Sequence, residues 1–404
     1  MKAGDADPLD GSPKAPFSLY LHFPFCLRKC HYCDFLSFPL AAAAVPPERY
    51  LLAVGKELEL YGRLPLLAGR PLATVYFGGG TPTLAPASAV VRLLELVQGF
   101  FRLGEEAELT IEANPGTVDL EELQRLRGAG FNRLSLGAQT FNDRLLLRLG
   151  RPHDAAAIRQ AFTAARRAGF ANINLDLIFG LPEQSLPDWR ETLREAIAME
   201  PEHISAYPLS VEPDTPLARW QAAGTLALPT EEEVLAMWEE AMAVLGQAGY
   251  EHYEISNYAR PGRRSRHNLV YWQNGEYLGI GLGAHSSLNW AEPGFGPVRR
   301  RRFANRRELP TYLADLERGV FPVAEETWLT EEDVRSETVI LGLRLLEGID
   351  LAEFARQFRA DLPVVYPGKV ERLQTLGLVE VHAGHLRLTR RGLFLANQVM
   401  AEFI

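Results

Sequence analysis

Short runs rich in β-branched and apolar residues alternate with longer stretches in which apolar positions return every three or four residues, from Ser18 to about Ser210. The runs Ser18–Phe23, Thr74–Phe77, Glu108–Glu112, Arg133–Leu136, Asn172–Ile178 and His203–Tyr207 read as strands. The stretches between them predict helices over Pro47–Gly62, Pro86–Phe101, Leu120–Gly128, Asp154–Ala168 and Pro187–Met199, several closed by a glycine. A helix between each pair of strands implies a parallel sheet with crossover helices. The fold class is therefore α/β, either an open sheet or a full or partial barrel, and periodicity alone does not separate these.

The rhythm changes near residue 291. The Pro/Gly-rich stretch Pro293–Pro297 reads as a boundary, and past about Glu308 helices dominate: Leu309–Arg318, Glu331–Leu346, Leu351–Phe358 and Val365–Leu376. Leu378–Val381 and His385–Leu388 then form a hairpin around Ala383-Gly384, followed by a last helix from Thr389. The expected organisation is a tail over 1–17, an α/β unit with an extension over 18–290, a linker over 291–307 and a winged-helix-like α+β unit over 308–404. In that last unit basic residues are interspersed with acids, which argues against DNA as its partner.

Of 404 residues, 47% are hydrophobic and 23% charged, a balance that excludes disorder and supports sizeable cores. The formal net charge of −9 argues against a surface built for nucleic acid. No apolar stretch approaches the ~20 residues of a membrane helix. The first sixteen residues carry acids and prolines where an export signal needs a positive start and an apolar core, so a cytoplasmic location is expected.

The chain's three cysteines, Cys26, Cys30 and Cys33, fall within eight positions. An odd number so tightly spaced opposes a disulfide framework and points to a metal. Zinc completed by His22 or His31 is one reading, although structural zinc usually takes two separated ligand pairs. An iron–sulfur cube on three thiolates is the other, and it leaves one iron open to a small molecule.

Other chemistry sits just after the strands, where parallel α/β folds place their sites. Gly78-Gly79-Gly80-Thr81-Pro82-Thr83 lacks a P-loop ending, and Thr83 stands where a dinucleotide fingerprint needs its third glycine. Its glycines either let backbone approach a ligand or form a tight turn. Glu112 can accept ribose hydroxyls at its strand tip or be a surface glutamate. Asp176, an acid in an apolar run, must pair internally or face a ligand.

Cys-x3-Cys-x2-Cys with Tyr32 before the last cysteine resembles the radical S-adenosylmethionine superfamily. That resemblance implies a partial (β/α)6 barrel, a [4Fe-4S] cluster on Cys26, Cys30 and Cys33, and S-adenosyl-L-methionine chelated to the open iron, where an electron cleaves its sulfonium. The match narrows through Tyr20-Leu21-His22-Phe23-Pro24-Phe25-Cys26, Ile111–Pro115, Leu136–Phe141 and Asp176–Pro182. It resembles the oxygen-independent coproporphyrinogen III oxidase-like family over essentially the whole chain from Tyr20, with a C-terminal domain that caps the barrel. Carried over by position, Tyr20, Gly79, Glu112 and Ser210 look like contacts of the cluster-bound cofactor. Tyr32, Gly80, Thr81, Gln139, Arg151 and Asp176 look like contacts of a second molecule or of the substrate region.

Two departures favour the heme-chaperone branch of that family over its oxidases. The oxidase has a fourth cysteine where Phe35 stands, and it has a longer N-terminal extension. His267 opens a His-Asn-x-x-Tyr-Trp motif at His267–Trp272 that in this branch is associated with heme binding; the bland alternative is a hydrogen-bonded structural histidine. His285 is a second candidate. Arg263, Arg264 and Arg266 suit heme propionates or an acidic partner, while Arg299–Arg302 read as a solvated linker face. The resemblance thus implies a chaperone that binds heme and passes it to apo-hemoproteins of the respiratory chain, with no DNA or RNA. It leaves open transient membrane association through those partners and a homodimer. The alternative is an anaerobic decarboxylase of coproporphyrinogen III.

Overall fold

A computed structural model describes residues 15–42, 47–290 and 299–404. The expected tail up to Lys14 and the Pro293–Pro297 boundary lie outside the described residues. Strand β1 (Phe17–Phe23) leads into the cysteine loop, where the two-residue strands β2 (Phe25–Cys26) and β3 (Phe38–Pro39) pair in parallel. Then β4 (Pro71–Gly79), β5 (Arg102–Ala113), β6 (Arg133–Gln139), β7 (Ile173–Phe179) and β8 (His203–Pro208) join β1 side by side, all parallel and in chain order.

These six strands alternate. Leu19, Val75, Ile111, Leu134, Leu175 and Ile204 enter one buried core. It is covered by helices α1 (Pro47–Gly62), α2 (Ala87–Phe100), α3 (Leu120–Ala129), α4 (Asp143–Arg148), α5 (Ala155–Arg167) and α6 (Leu186–Ala198). The intervening positions are polar and in register: Tyr20 beside Tyr76, Glu112 beside Ser135, Asp176 beside Ser205. One face of the sheet therefore packs like any parallel α/β core, and the other encloses hydrogen-bonding groups. Local signals end the helices where expected. Asp119 caps α3 by accepting from the Glu122 amide, and Gly130, at φ +119°, closes it in a left-handed turn.

The sheet runs further than the sequence pattern indicates. After α7 (Pro216–Ala222) and α8 (Glu231–Gln247), strands β9 (Glu251–Glu254) and β10 (Asn257–Ala259) add antiparallel beyond β8. Helix α9 (Arg266–Trp272) then leads to β11 (Tyr277–Ile280), parallel to β1 on its free side, and to the antiparallel strands β12 (His285–Trp290), β13 (Arg299–Asn305) and β14 (Val323–Trp328). Twelve strands form one sheet.

The 291–307 linker is thus corrected: Arg299–Asn305 is a strand of the main sheet, and the Pro/Gly stretch joins two antiparallel neighbours. Helix α10 (Leu309–Glu317), expected in the second unit, buries Leu309, Tyr312, Leu313 and Leu316 in the first core. Arg301 lies over Trp290, Phe303 and Trp328, Arg302 pairs with Glu337 at 2.6 Å, and Arg300 donates to the Asn274 carbonyl. The arginine run is therefore packed into the sheet, not a solvated linker.

A second core forms from α11 (Glu331–Gly342) onward. It holds a small antiparallel sheet of β15 (Ile349–Asp350), β16 (Val379–His382) and β17 (His385–Leu388), with β17 central. Around it pack α12 (Leu351–Phe358), α13 (Leu362–Val365), α14 (Lys369–Thr375), α15 (Arg390–Phe394) and α16 (Ala396–Ala401). The helix expected over Val365–Leu376 is split, because Pro367 and Gly368, the latter at φ +72°, break it before α14. Among the described residues no helix is long and apolar enough to cross a membrane.

Candidate functional site

A cavity of about 400 Å³ opens at the C-terminal ends of the parallel strands, closed on one side by the cysteine loop. Cys26, Cys30 and Cys33 are unpaired thiols that all line it. Thr81 Oγ1 lies 3.7 Å from Cys26 Sγ and accepts from Asn114 Nδ2 at 2.7 Å. Arg151 spans the same floor: Nη1 donates to Cys30 Sγ at 3.5 Å, and Nη2 donates to Asn114 Oδ1 and the Gly137 carbonyl at 2.5 and 2.7 Å. One guanidinium therefore places positive charge against the thiols and ties two strand ends to the loop.

Burial raises the Cys26 thiol and pushes Cys33 up to about 11, so a bound metal must supply the charge that deprotonates them. Neither histidine that could complete zinc lines the cavity. His22 bonds Tyr20 and the Leu36 carbonyl, and His31 bonds the Arg148 carbonyl and packs on Trp220. Among the described residues no three histidine, cysteine or carboxylate side chains converge on a single-ion geometry. In a cubane each thiolate holds a different iron, so three thiols lining one cavity beside a fixed cation fit a cluster better than one zinc ion.

Across the cavity, Glu112 accepts from Tyr76 Oη at 2.7 Å and from the Gly79 amide at 3.0 Å. Burial, only partly offset by these donors, pushes its carboxyl up to about 7. The glycines are needed here for internal fit: a Cβ on Gly79 would meet the His22 ring at 2.5 Å, and one on Gly80 the Phe25 carbonyl at 2.5 Å. Asp176 is held by Ser135 Oγ at 3.0 Å and Asn174 Nδ2 at 2.8 Å. It both pairs internally and lines the cavity. Asn174 Oδ1 in turn meets His203 Nδ1 at 2.6 Å, and His203 Nε2 meets Tyr253 Oη at 2.8 Å. Gln139 enters the cavity at φ +67° beside a register shift in β6, a strained placement for a residue with a side chain.

Residues 20–196 match the model of the radical SAM superfamily, and residues 329–395 match the HemN C-terminal domain. The chain is 34% identical to the heme chaperone HemW of Bacillus subtilis over 388 residues, covering 96% of this chain and 99% of that one. It is 38% identical to HemW of Mycobacterium tuberculosis H37Rv, covering 97% and 96%.

The chain belongs to the HemW family.

The crystal structure of coproporphyrinogen III oxidase (HemN) from Escherichia coli superposes with a TM-score of 0.79 at 27% identity, over 98% of this chain and 92% of that one. The α/β radical SAM fold with its C-terminal domain is thereby shown.

In this HemW-family chain the cavity gathers Tyr32, Gly79, Gly80, Glu112, Gln139, Arg151, Asp176 and Ser210 with the three cysteines. Other residues of the expected set stand elsewhere. Tyr20 is not among the lining residues; its hydroxyl bonds His22 Nδ1 at 3.0 Å. Thr81 is also outside the lining, 1% exposed, and acts on Cys26 and Asn114. Ser210 is an exposed lining residue whose hydroxyl donates to Glu212 Oε1 at 2.5 Å.

His267 lies behind the cavity wall and is not among the lining residues. It is 2% exposed, its ring stacks on Tyr76, and its nitrogens meet Thr74 Oγ1 at 2.6 Å and Tyr271 Oη at 2.9 Å. Burial lowers its pKa to about 3. Both ring nitrogens are hydrogen-bonded in this conformation. His285 is exposed on β12, away from the cavity lining.

Asn114, Tyr76 and Asn268 belong to the site and were not singled out from the sequence. The first stands in the Ile111–Pro115 motif and the last beside His267. Tyr76 was findable from the alternation along β4, two positions from Thr74 and Gly78.

Proposed function

We propose that this chain is a heme chaperone that binds heme and delivers it to apo-hemoproteins, carrying a [4Fe-4S] cluster on Cys26, Cys30 and Cys33 and S-adenosyl-L-methionine between the cluster and Glu112. The observation that carries this reading is the likeness along nearly the whole chain to proteins named heme chaperone, with Phe35 rather than a cysteine after the cluster motif. When bound, the cluster and S-adenosyl-L-methionine supply one-electron reductive chemistry. The chain's own residues do the rest. Arg151 and Thr81 orient the thiols, Gly79 and Tyr76 hold the Glu112 carboxylate toward ribose hydroxyls, and Asp176 presents a fixed acceptor opposite.

Titrating anaerobically reconstituted protein with hemin is expected to give a saturable Soret change, followed by transfer of the heme to an apo-hemoprotein such as apomyoglobin. The absence of saturable binding overturns the reading. A second reading, anaerobic decarboxylation of coproporphyrinogen III, is favoured by the likeness to the HemN structure over almost its full length. Formation of protoporphyrinogen by the reconstituted protein would reverse the order of the two.

A further inference from the structure

We propose that Tyr76 couples the two ends of the cavity: its hydroxyl holds the carboxylate that takes S-adenosyl-L-methionine, its ring holds the histidine of α9, and binding of this cofactor thereby changes the affinity for heme. The inference rests on the reading of the chain as a heme carrier, and it adds how the cofactor regulates the cargo.

One space joins the two ends. Its lining runs from Cys26, Cys30 and Cys33 through Glu112 and Tyr76 to Asn268 on α9. Trp272 stands one helical turn beyond Asn268 on the same side of α9, and its indole N–H has no partner among the described residues.

Strand β4 carries both contacts. Tyr76 Oη donates to Glu112 Oε1 at 2.7 Å, and the Gly79 amide donates to Oε2 at 3.0 Å. The Tyr76 ring stacks on that of His267, with centroids 4.8 Å apart and planes 26° apart. Thr74, two positions earlier and so on the same face of the strand, meets His267 Nδ1 through Oγ1 at 2.6 Å. Tyr20, beside Tyr76 in the sheet, adds a third ring, 6.0 Å from Tyr76 and 6.3 Å from His267. The phenol has no slack: a Cβ on Gly78 would meet Tyr76 Cε1 at 2.7 Å and Glu112 Oε1 at 3.0 Å.

A Glu112 carboxylate that accepts ribose hydroxyls must share its lone pairs with the Tyr76 phenol. Any shift of that bond moves a closely packed ring, and the stacked imidazole moves with it. Glu108 holds the His267 amide at 3.1 Å, so the imidazole turns about an anchored backbone. Tyr271, whose hydroxyl meets His267 Nε2 at 2.9 Å, turns with it. Linkage makes the effect reciprocal, so heme changes the affinity for the cofactor by the same factor.

The test uses anaerobically reconstituted full-length protein without reductant, so that S-adenosyl-L-methionine stays intact. Hemin dissociation constants are read from the Soret band with and without saturating cofactor, and the cofactor's own constant by equilibrium dialysis with and without hemin. The two hemin constants are expected to differ by about fivefold or more, and the two cofactor constants by the same factor. Tyr76→Phe keeps the stacked ring and removes the bond to Glu112. It should weaken the cofactor several-fold and bring the ratio of hemin constants to within about twofold of one. Thr74→Val disturbs His267 from the same strand without touching Glu112, and should shift hemin binding but keep the ratio. Cluster absorbance reports that each variant is loaded, and should Tyr76→Phe fail to load, the ratio in Thr74→Val decides alone. Equal hemin constants in the unsubstituted protein overturn the proposal and leave the carrier reading standing. A ratio that persists in Tyr76→Phe, or vanishes in Thr74→Val, also overturns it, the first by showing direct contact between the two ligands. If hemin does not bind saturably, the carrier reading falls first and the coupling with it.

Discussion

Two walls of one cavity are built in opposite ways. The cysteine loop holds three unpaired thiols, the Arg28 guanidinium, which has no ion pair among the described residues, and the exposed apolar side chains Leu27 and Phe35. Helix α9, on the other side of the Tyr76 ring, has its first turn fully held, although Asn268 lines the cavity and the Trp272 indole N–H has no partner. The Glu108 carboxylate accepts both the Arg266 and His267 amides at 3.1 Å, Ser265 caps the Asn268 amide, and Asn274 just past its end ties to Val334 and Thr338 of α11. Groups already satisfied stabilise a fold, whereas groups left open await something. By that standard the first turn of α9 is scaffold that couples the barrel to the second core, while the thiols of the loop, and Asn268 and the Trp272 N–H further along α9, remain open.

The sharpest way to test the contrast is to remove one group from each wall. Cys30→Ala should abolish the cluster absorbance after reconstitution while costing the apo chain about 1 kcal/mol, read by urea unfolding. Glu108→Ala should do the reverse. It strands one buried and one part-buried amide at the start of α9 and should lower stability by about 2–4 kcal/mol, with the thiols untouched. An unchanged urea midpoint in Glu108→Ala would show that these two bonds do not hold the start of α9.

A smaller effect separates the walls by pH. Burial raises the folded carboxyl of Glu112 from an ordinary 4.5 to about 7, so between those values the folded chain holds a proton that the unfolded chain has released. Stability from this group is greatest below about 4.5 and declines as pH rises toward 7. Glu112→Gln should flatten that decline in urea midpoints of the apo protein measured across this window. Buried Glu57, which accepts from Tyr312, Asn305 and the Gly281 amide, is also raised to about 7 and will keep part of the slope in the variant. The smallest effect belongs to Ser210→Ala, expected to change stability by less than about 0.5 kcal/mol because the hydroxyl is exposed and bonds only Glu212.

The six parallel strands and the strand-end site were readable from sequence because crossover helices impose a rhythm and parallel sheets put chemistry at one edge. Asp176 was readable as anomalous since an acid in an apolar run needs a reason. The polar partners facing it from β6 and β8 were not, because Ser135 and Ser205 cost nothing as surface residues and signal nothing alone. Strands β9 to β14 escaped notice for a different reason. They are short, mostly antiparallel, and separated by glycine and proline that read as loop. His267 shows the limit of a spacing motif: spacing tells which side chains share a helix face, but not whether that face meets solvent or the stacked ring of Tyr76.

The close packing of Arg151 against Cys30, 121 positions away in the chain, has a consequence for the order of events during synthesis. The three thiols leave the ribosome together, near the beginning. Of the groups that brace the loop from behind, Asn114 arrives after three of the six parallel strands, the Gly137 carbonyl within the fourth, and Arg151 only after the fourth is complete. For that interval the thiols are bare and unbraced, open to oxidants and to stray metals. Cluster loading therefore belongs after the barrel has closed, and delays in translating the stretch up to Arg151 should lower the yield of loaded protein more than delays beyond it.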